Sequence, residues 1–155
     1  MLSGYLLSAK GRSNVELVEL RDEVHHMRQL VALSLLQQQS ASERLRGVSW
    51  SSRMASPDGE VISALLDALN YDPNTNVRLA AVDALSNFSE QAAVRQGLIR
   101  ALSRPNSPLV QIALIDLMVQ IKERQSAAAL RQLAQDVTIH QLVRQRAERG
   151  LRELI

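Results

Sequence analysis

Apolar residues in this chain keep helical spacing within blocks, and the blocks recur. From Val77, the run Val77, Ala81, Val82, Ala84, Leu85 and Phe88 places apolar side chains along one side of a helix. Moving 33 residues along gives Val110, Ala113, Leu114, Leu117, Met118 and Ile121, and a further 33 gives Val143, Ala147, Gly150, Leu151 and Leu154. Repetition at this period signals a stack of like units, since a single such unit cannot bury its apolar face alone. Each block is preceded by turn residues and a shorter helical pattern. The first unit joins Glu60–Asn70 (Val61, Leu65, Leu66, Leu69 inward) to Asn76–Ser89. The second joins Gln91–Ser103 (Val94, Leu98, Ile99, Leu102) to Ser107–Ile121, and the third joins Ser126–Ala134 (Leu130, Leu133) to Ile139–Ile155. Ser56-Pro57-Asp58-Gly59, Asp72-Pro73-Asn74 and the prolines Pro105 and Pro108 punctuate them. The expected fold is all-α: a right-handed α-α superhelix of three helix pairs over about 58–89, 90–121 and 122–155. A degenerate N-terminal pair over 14–55 precedes it.

Residues 1–13 stand outside the repeat. Tyr5-Leu6-Leu7 followed by Lys10 and Arg12 is too short to span a bilayer, which needs ~20 apolar residues. No positive charge precedes the apolar part, as a signal peptide requires. The segment reads as a disordered start or as the end of a membrane helix. Ser13 or Asn14 can cap the next helix, with Glu16 and Glu19 in the first turn, where the helix dipole favours acids. That helix runs to about Gln38. Leu17, Leu20, Val24, Met27 and Val31 form a heptad stripe. Two clean heptads fall short of the three to four that a coiled coil wants, so packing against the repeats is the expected use. Leu30 to Leu36 is apolar on every side and is expected to be buried on more than one face. Residues 40–55 form a second helix with two stripes, Ala41, Leu45, Val48 and Ser52 against Gly47, Trp50 and Met54. Burial is the expected fate of Trp50.

Composition sharpens this picture. Apolar residues make up 46% of the chain but aromatics only 3%, so the core must be aliphatic, which suits close helix packing. The absence of cysteine excludes disulfides, thiolate catalysis and cysteine-ligated zinc. The net charge of +2 points to no nucleic-acid partner, but its distribution is uneven. Residues 58–90 carry six acids against Arg78 alone, whereas the last unit is rich in arginine. Arginine favours fixed, bidentate contacts.

Paired helices with a turn Asp, then Val77-Arg78, Ala81 and Ala84-Leu85 opening the second helix, resemble HEAT repeats, especially their short bacterial form. The resemblance covers 60–155 well and 14–55 loosely. It implies a polar ladder between stacked turns, carried here by Asp72/Arg78 and Asp136/Arg144 and interrupted at Pro105 and Gln111. The run from Arg28 to Leu45, with Gly47-Val48-Ser49-Trp50-Ser51, also looks like the C-terminal region of bacterial membrane-tethered anti-sigma-type regulators. In those proteins a cytoplasmic zinc finger and one membrane helix precede HEAT repeats outside the membrane. This chain has no zinc-finger ligands. The resemblance implies a membrane-tethered, extracytoplasmic module; a cytoplasmic stand-alone module is the alternative.

Candidate chemistry is sparse. His25 and His26 are adjacent, so on a helix they point about 100° apart and cannot easily share a metal. His140 has no partner histidine or cysteine. No nucleophile elbow or phosphate loop appears. No enzymatic activity, cofactor or metal is expected. The informative surface is the outward face of the second helices: Leu79, Asp83 and Ser86, then Ile112, Asp116 and Val119, then Gln145, Arg149 and Arg152. In a helix-pair stack this face lines the concave side. It is expected either to expose Leu79, Ile112 and Val119 as apolar anchors, with Asp83, Asp116, Arg149 and Arg152 setting a partner's orientation, or to be covered by the N-terminal helix or rotated by one residue out of that position. The expected function is a protein- or peptide-binding scaffold. The alternative is nucleic-acid binding by Arg131, Arg144, Arg146, Arg149 and Arg152, which the scarcity of stacking aromatics and the intervening Glu148 and Glu153 oppose. A role as an enzyme accessory, as in HEAT-like bilin lyases, would rest on fold analogy alone.

Overall fold

The structure, a computed structural model, describes residues 3–155, with side chains from residue 11 onward. The side chains of Tyr5, Leu6, Leu7 and Lys10, on which the membrane-remnant reading falls, lie outside the described residues. Regular structure among the described residues is helical: α1 (Ser3–Leu36), α2 (Ala41–Ser52), α3 (Gly59–Tyr71), α4 (Thr75–Ser86), α5 (Ala92–Leu102), α6 (Pro108–Gln120), α7 (Ala127–Gln135) and α8 (Gln141–Leu154). A 3-10 turn at Arg124–Ser126 leads into α7. Consecutive helices pair. The first helices α1, α3, α5 and α7 form one layer, and the second helices α2, α4, α6 and α8 form the other, packed more closely side by side. The chain is thus a HEAT-like α-solenoid. Among the described residues no helix is long and apolar enough to cross a membrane.

The core lies between the layers. Leu65 and Leu69 of α3, Leu85 of α4, Leu98 and Leu102 of α5, Leu114, Ile115 and Met118 of α6 and Leu130 of α7 are fully buried. Burying each such side chain contributes about 1.5–3 kcal/mol. Local chemistry sets the helix ends. Asp58 accepts the N–H groups of Glu60 and Val61, and Asn74 those of Asn76 and Val77. Ser107 caps α6, with Pro108 in the first turn, where a missing N–H costs nothing. The His140 Nδ1 accepts the Leu142 N–H at the start of α8. At the end of α6, Glu123 N–H donates to the Met118 carbonyl and Lys122 N–H to that of Val119, a Schellman closure. Lys122, at φ 54, holds the left-handed position that glycine usually fills.

The N-terminal pair departs from expectation. Ser13 and Asn14 lie inside α1, which is already helical from Ser3, so neither is a cap. Only the C-terminal part of α1 packs on the repeats. Ala32 and Leu36 are buried, and Gln29 is buried with its Oε1 accepting the Asp58 N–H at 2.8 Å. Gly47 lets α2 approach α1: a Cβ there would lie 2.8 Å from the Leu36 backbone nitrogen and 2.9 Å from the Leu35 Cβ. The stripe from Leu17 to Val31 is exposed and does not pack on the body as expected. Leu30, also exposed, departs from the all-round burial expected of the segment to Leu36. Trp50, expected in the core, is 44% exposed, because α2 buries Gly47, Val48 and Ser51 instead.

Candidate functional site: the second-helix face and its turn edge

The second helices share one frame, set by their caps. Four residues after the N-cap stand Arg44 in α2, Arg78 in α4, Gln111 in α6 and Arg144 in α8. Arg44 donates from Nε and Nη2 to the two carboxylate oxygens of Asp72 at 2.6 and 2.9 Å. Its Nη1 donates to the carbonyls of Gln38 and Gln39. The guanidinium therefore ties the α1–α2 turn to the next unit's turn. The rung runs between stacked turns, as the resemblance implied, and the arginine that Asp72 takes is Arg44 of the preceding unit. Burial alone would raise the Asp72 pKa. The hydrogen bonds from Arg44 and the Asn74 N–H, with the charges of Arg44 and Arg78, outweigh burial and hold Asp72 below the ordinary 3.8.

The next rung is missing. Arg78 reaches only Thr75, and its buried Nε has no partner. The place of Asp72 in the following unit is held by Pro105. Beyond it, buried Gln111 faces a cleft of about 540 Å³, also lined by Arg104, Pro105, Gln132, Asp136 and His140. Asp136 does not bond Arg144. It accepts the Thr138 N–H and hydroxyl, which hold its pKa below the ordinary value. Arg144 clamps the carbonyls of Val137 and Ile139. His140 Nδ1 and Asp136 Oδ1, on the wall of this cleft, are both engaged in turn contacts. Among the described residues no group of three His, Asp or Glu could hold a metal ion.

The opposite edge carries a rung that the repeat pattern did not reveal. Arg95 stands four residues after the N-cap of α5, clamps the carbonyls of Ser89 and Glu90, and pairs with Glu123 at 3.3 Å. Its offset to Glu123 equals the 28 residues between Arg44 and Asp72. That common offset was the available signal.

On the second-helix face, Asp83, Asp116, Arg149 and Arg152 are exposed, as is Gln145. Leu79, Ile112 and Val119, expected as exposed anchors, are half-buried and packed against the core. Taking Asp83 as the centre of the outward side, Leu79 lies about 40° round the helix. That puts it, like its equivalents, on the flank where the neighbouring second helix covers it. Gly150 of α8 shows this coverage, since a Cβ there would come within 3.1 Å of Val119 Cγ2. Leu109 and Leu142 are the apolar residues that do stand free, at 63% and 58% exposed. Each precedes the acid or arginine of its stripe (Asp116, Arg149) by two helical turns, so both project from the same outward line. Asp116 is bound to Arg146 at 2.5 Å, and Arg146 also reaches Glu153. Of the five arginines considered for nucleic acid, Arg144 and Arg146 are thus engaged internally, while Arg131, Arg149 and Arg152 make no ion pair among the described residues.

Helix pairs stacked in two layers, with polar rungs at their turns, define a repeat solenoid. The profile of the HEAT repeats matches residues 62–152, more than half of the chain, and the chain belongs to that family. No curated protein sequence matches it. HEAT repeats commonly mediate protein–protein interaction.

Proposed function

We propose that this chain is a non-enzymatic scaffold that binds a protein or extended peptide along the outward line of α4, α6 and α8. The observation that carries this reading is the line itself. Asp83 stands at one end, the exposed Leu109 and Leu142 lie along it, and the free Arg149 and Arg152 stand at the other end. The leucines supply desolvation, and the charges of opposite sign orient the partner. A peptide would lie with a basic end toward Asp83 and an acidic end toward Arg149. The test is peptide selection from a random display library. Selected peptides should lose binding to L109E/L142E, whose melting temperature should match wild type because both leucines are exposed. Selection of no sequence family, or full retention by the variant, contradicts the reading.

The resemblance of Arg28–Leu45 to membrane-tethered regulators supports placing the module outside the membrane. Protease sensitivity in intact cells tests that placement: protection until lysis would overturn it. A gel shift at low salt tests nucleic acid as an alternative partner, and a retarded band that fades with salt would favour it.

A further inference from the structure

Helix α1 uses opposite sides for different tasks. Gln29, Ala32 and Leu36 follow one another at helical spacing and are buried against the repeats. The stripe Leu17, Leu20, Val24, Met27 and Val31 lies on the other side, and every member is between 36% and 56% exposed. Its spacing alternates three and four residues, which is the heptad seam of a coiled coil. With Leu17, Val24 and Val31 at the a positions and Leu20 and Met27 at d, the flanking positions are fixed. Glu16 and Glu23 then occupy g, and Arg21 and Arg28 occupy e.

That charge pattern selects the occupant. In a parallel, in-register pair of identical helices, each g residue faces the e residue of the following heptad in the other chain. Glu16 meets Arg21 of the second copy, and Glu23 meets Arg28 of the second copy. In an antiparallel pair, g would face g and e would face e, setting glutamate against glutamate and arginine against arginine. Val24 and Val31 at a, with Leu20 at d, also favour two parallel strands. The repeats attach on the side of α1 away from the seam, so two bodies would project outward without meeting. We propose that two copies of this chain associate through parallel, in-register pairing of α1 over Leu17–Val31.

The seam spans only about 20 Å, so association is concentration-dependent. Sedimentation of the full chain over a series reaching about 1 mM tests it. The mass is expected to rise from 17.2 kDa toward twice that value. L20E/M27E should stay monomeric with an unchanged melting temperature, since neither side chain supports the fold of the single chain. E16R/E23R and R21E/R28E should each lose dimers alone and regain them when mixed. In S13C, placed at a d position of a chain with no other cysteine, oxidation should link two copies. A wild type that stays monomeric through the series, or dimers that survive L20E/M27E, overturns the proposal. Dimers that S13C cannot cross-link overturn the parallel register.

Discussion

Arg44 and Arg78 hold the same place, four residues after the cap of a second helix, and meet different neighbours. Arg44 finds Asp72 in the next unit and forms a two-pronged ion pair in which the carboxylate side chain is only 4% exposed. In the unit after Arg78 the corresponding residue is Pro105, which cannot accept such a pair, and a buried Nε of Arg78 has no partner. The first joint is therefore locked by charge, while the second is held by apolar packing between α4 and α6, and the cleft lies at the third, between the α5–α6 and α7–α8 turns. The repeats thus stack without the ladder, and the ladder fastens the degenerate N-terminal pair, which has the least core of its own.

The comparison breaks most visibly by removing each arginine. R44M strands a buried carboxylate and should be clearly destabilising, whereas R78M removes a hydrogen bond to Thr75 together with a buried Nε that has no partner and should cost much less. Equal losses in urea unfolding would contradict the contrast. Acid should act on the first joint. The Asp72 pKa is depressed in the folded state, so the stability it contributes is present above the ordinary carboxylate value. That stability is lost as pH falls through the carboxylate range toward the folded value. Melting temperature should therefore drop more steeply below pH 4 in wild type than in D72N, with a residual slope from Asp136. Matching slopes would remove Asp72 from the account. The smallest effect is the gain from building the missing rung. P105D should couple to Arg78 by about 1 kcal/mol in a double-mutant cycle with R78M, and a coupling near zero would mean that the two positions do not face each other.

Much of the fold was legible because the buried positions repeat. Val77, Val110 and Val143 are all fully buried, and the ends of α3 to α8 fall within about three residues of the expected ones. The ladder was legible as a set of residues but not as pairs. Asp72 is six residues from Arg78 and 28 from Arg44, and only the stacking of units decides between them. The site was legible in part. Counting around one helix placed Asp83, Asp116, Arg149 and Arg152 on the surface. It could not show that the neighbouring helices cover Leu79, Ile112 and Val119, because that coverage belongs to the stack. Leu109 and Leu142 escaped because they sit in the first turn of their helices, ahead of the apolar blocks. In α1 the exposed stripe was visible as a heptad, but nothing in one dimension says which side of a long helix the body takes.

The most direct test of the scaffold reading is to map, by amide chemical shifts, where a selected peptide sits on the protein. Perturbations should follow the outward line of the second helices through Asp83, Leu109, Asp116, Leu142 and Arg149. Perturbations confined to the cleft beside Pro105 and His140, or to the Leu17–Val31 stripe of α1, would contradict it.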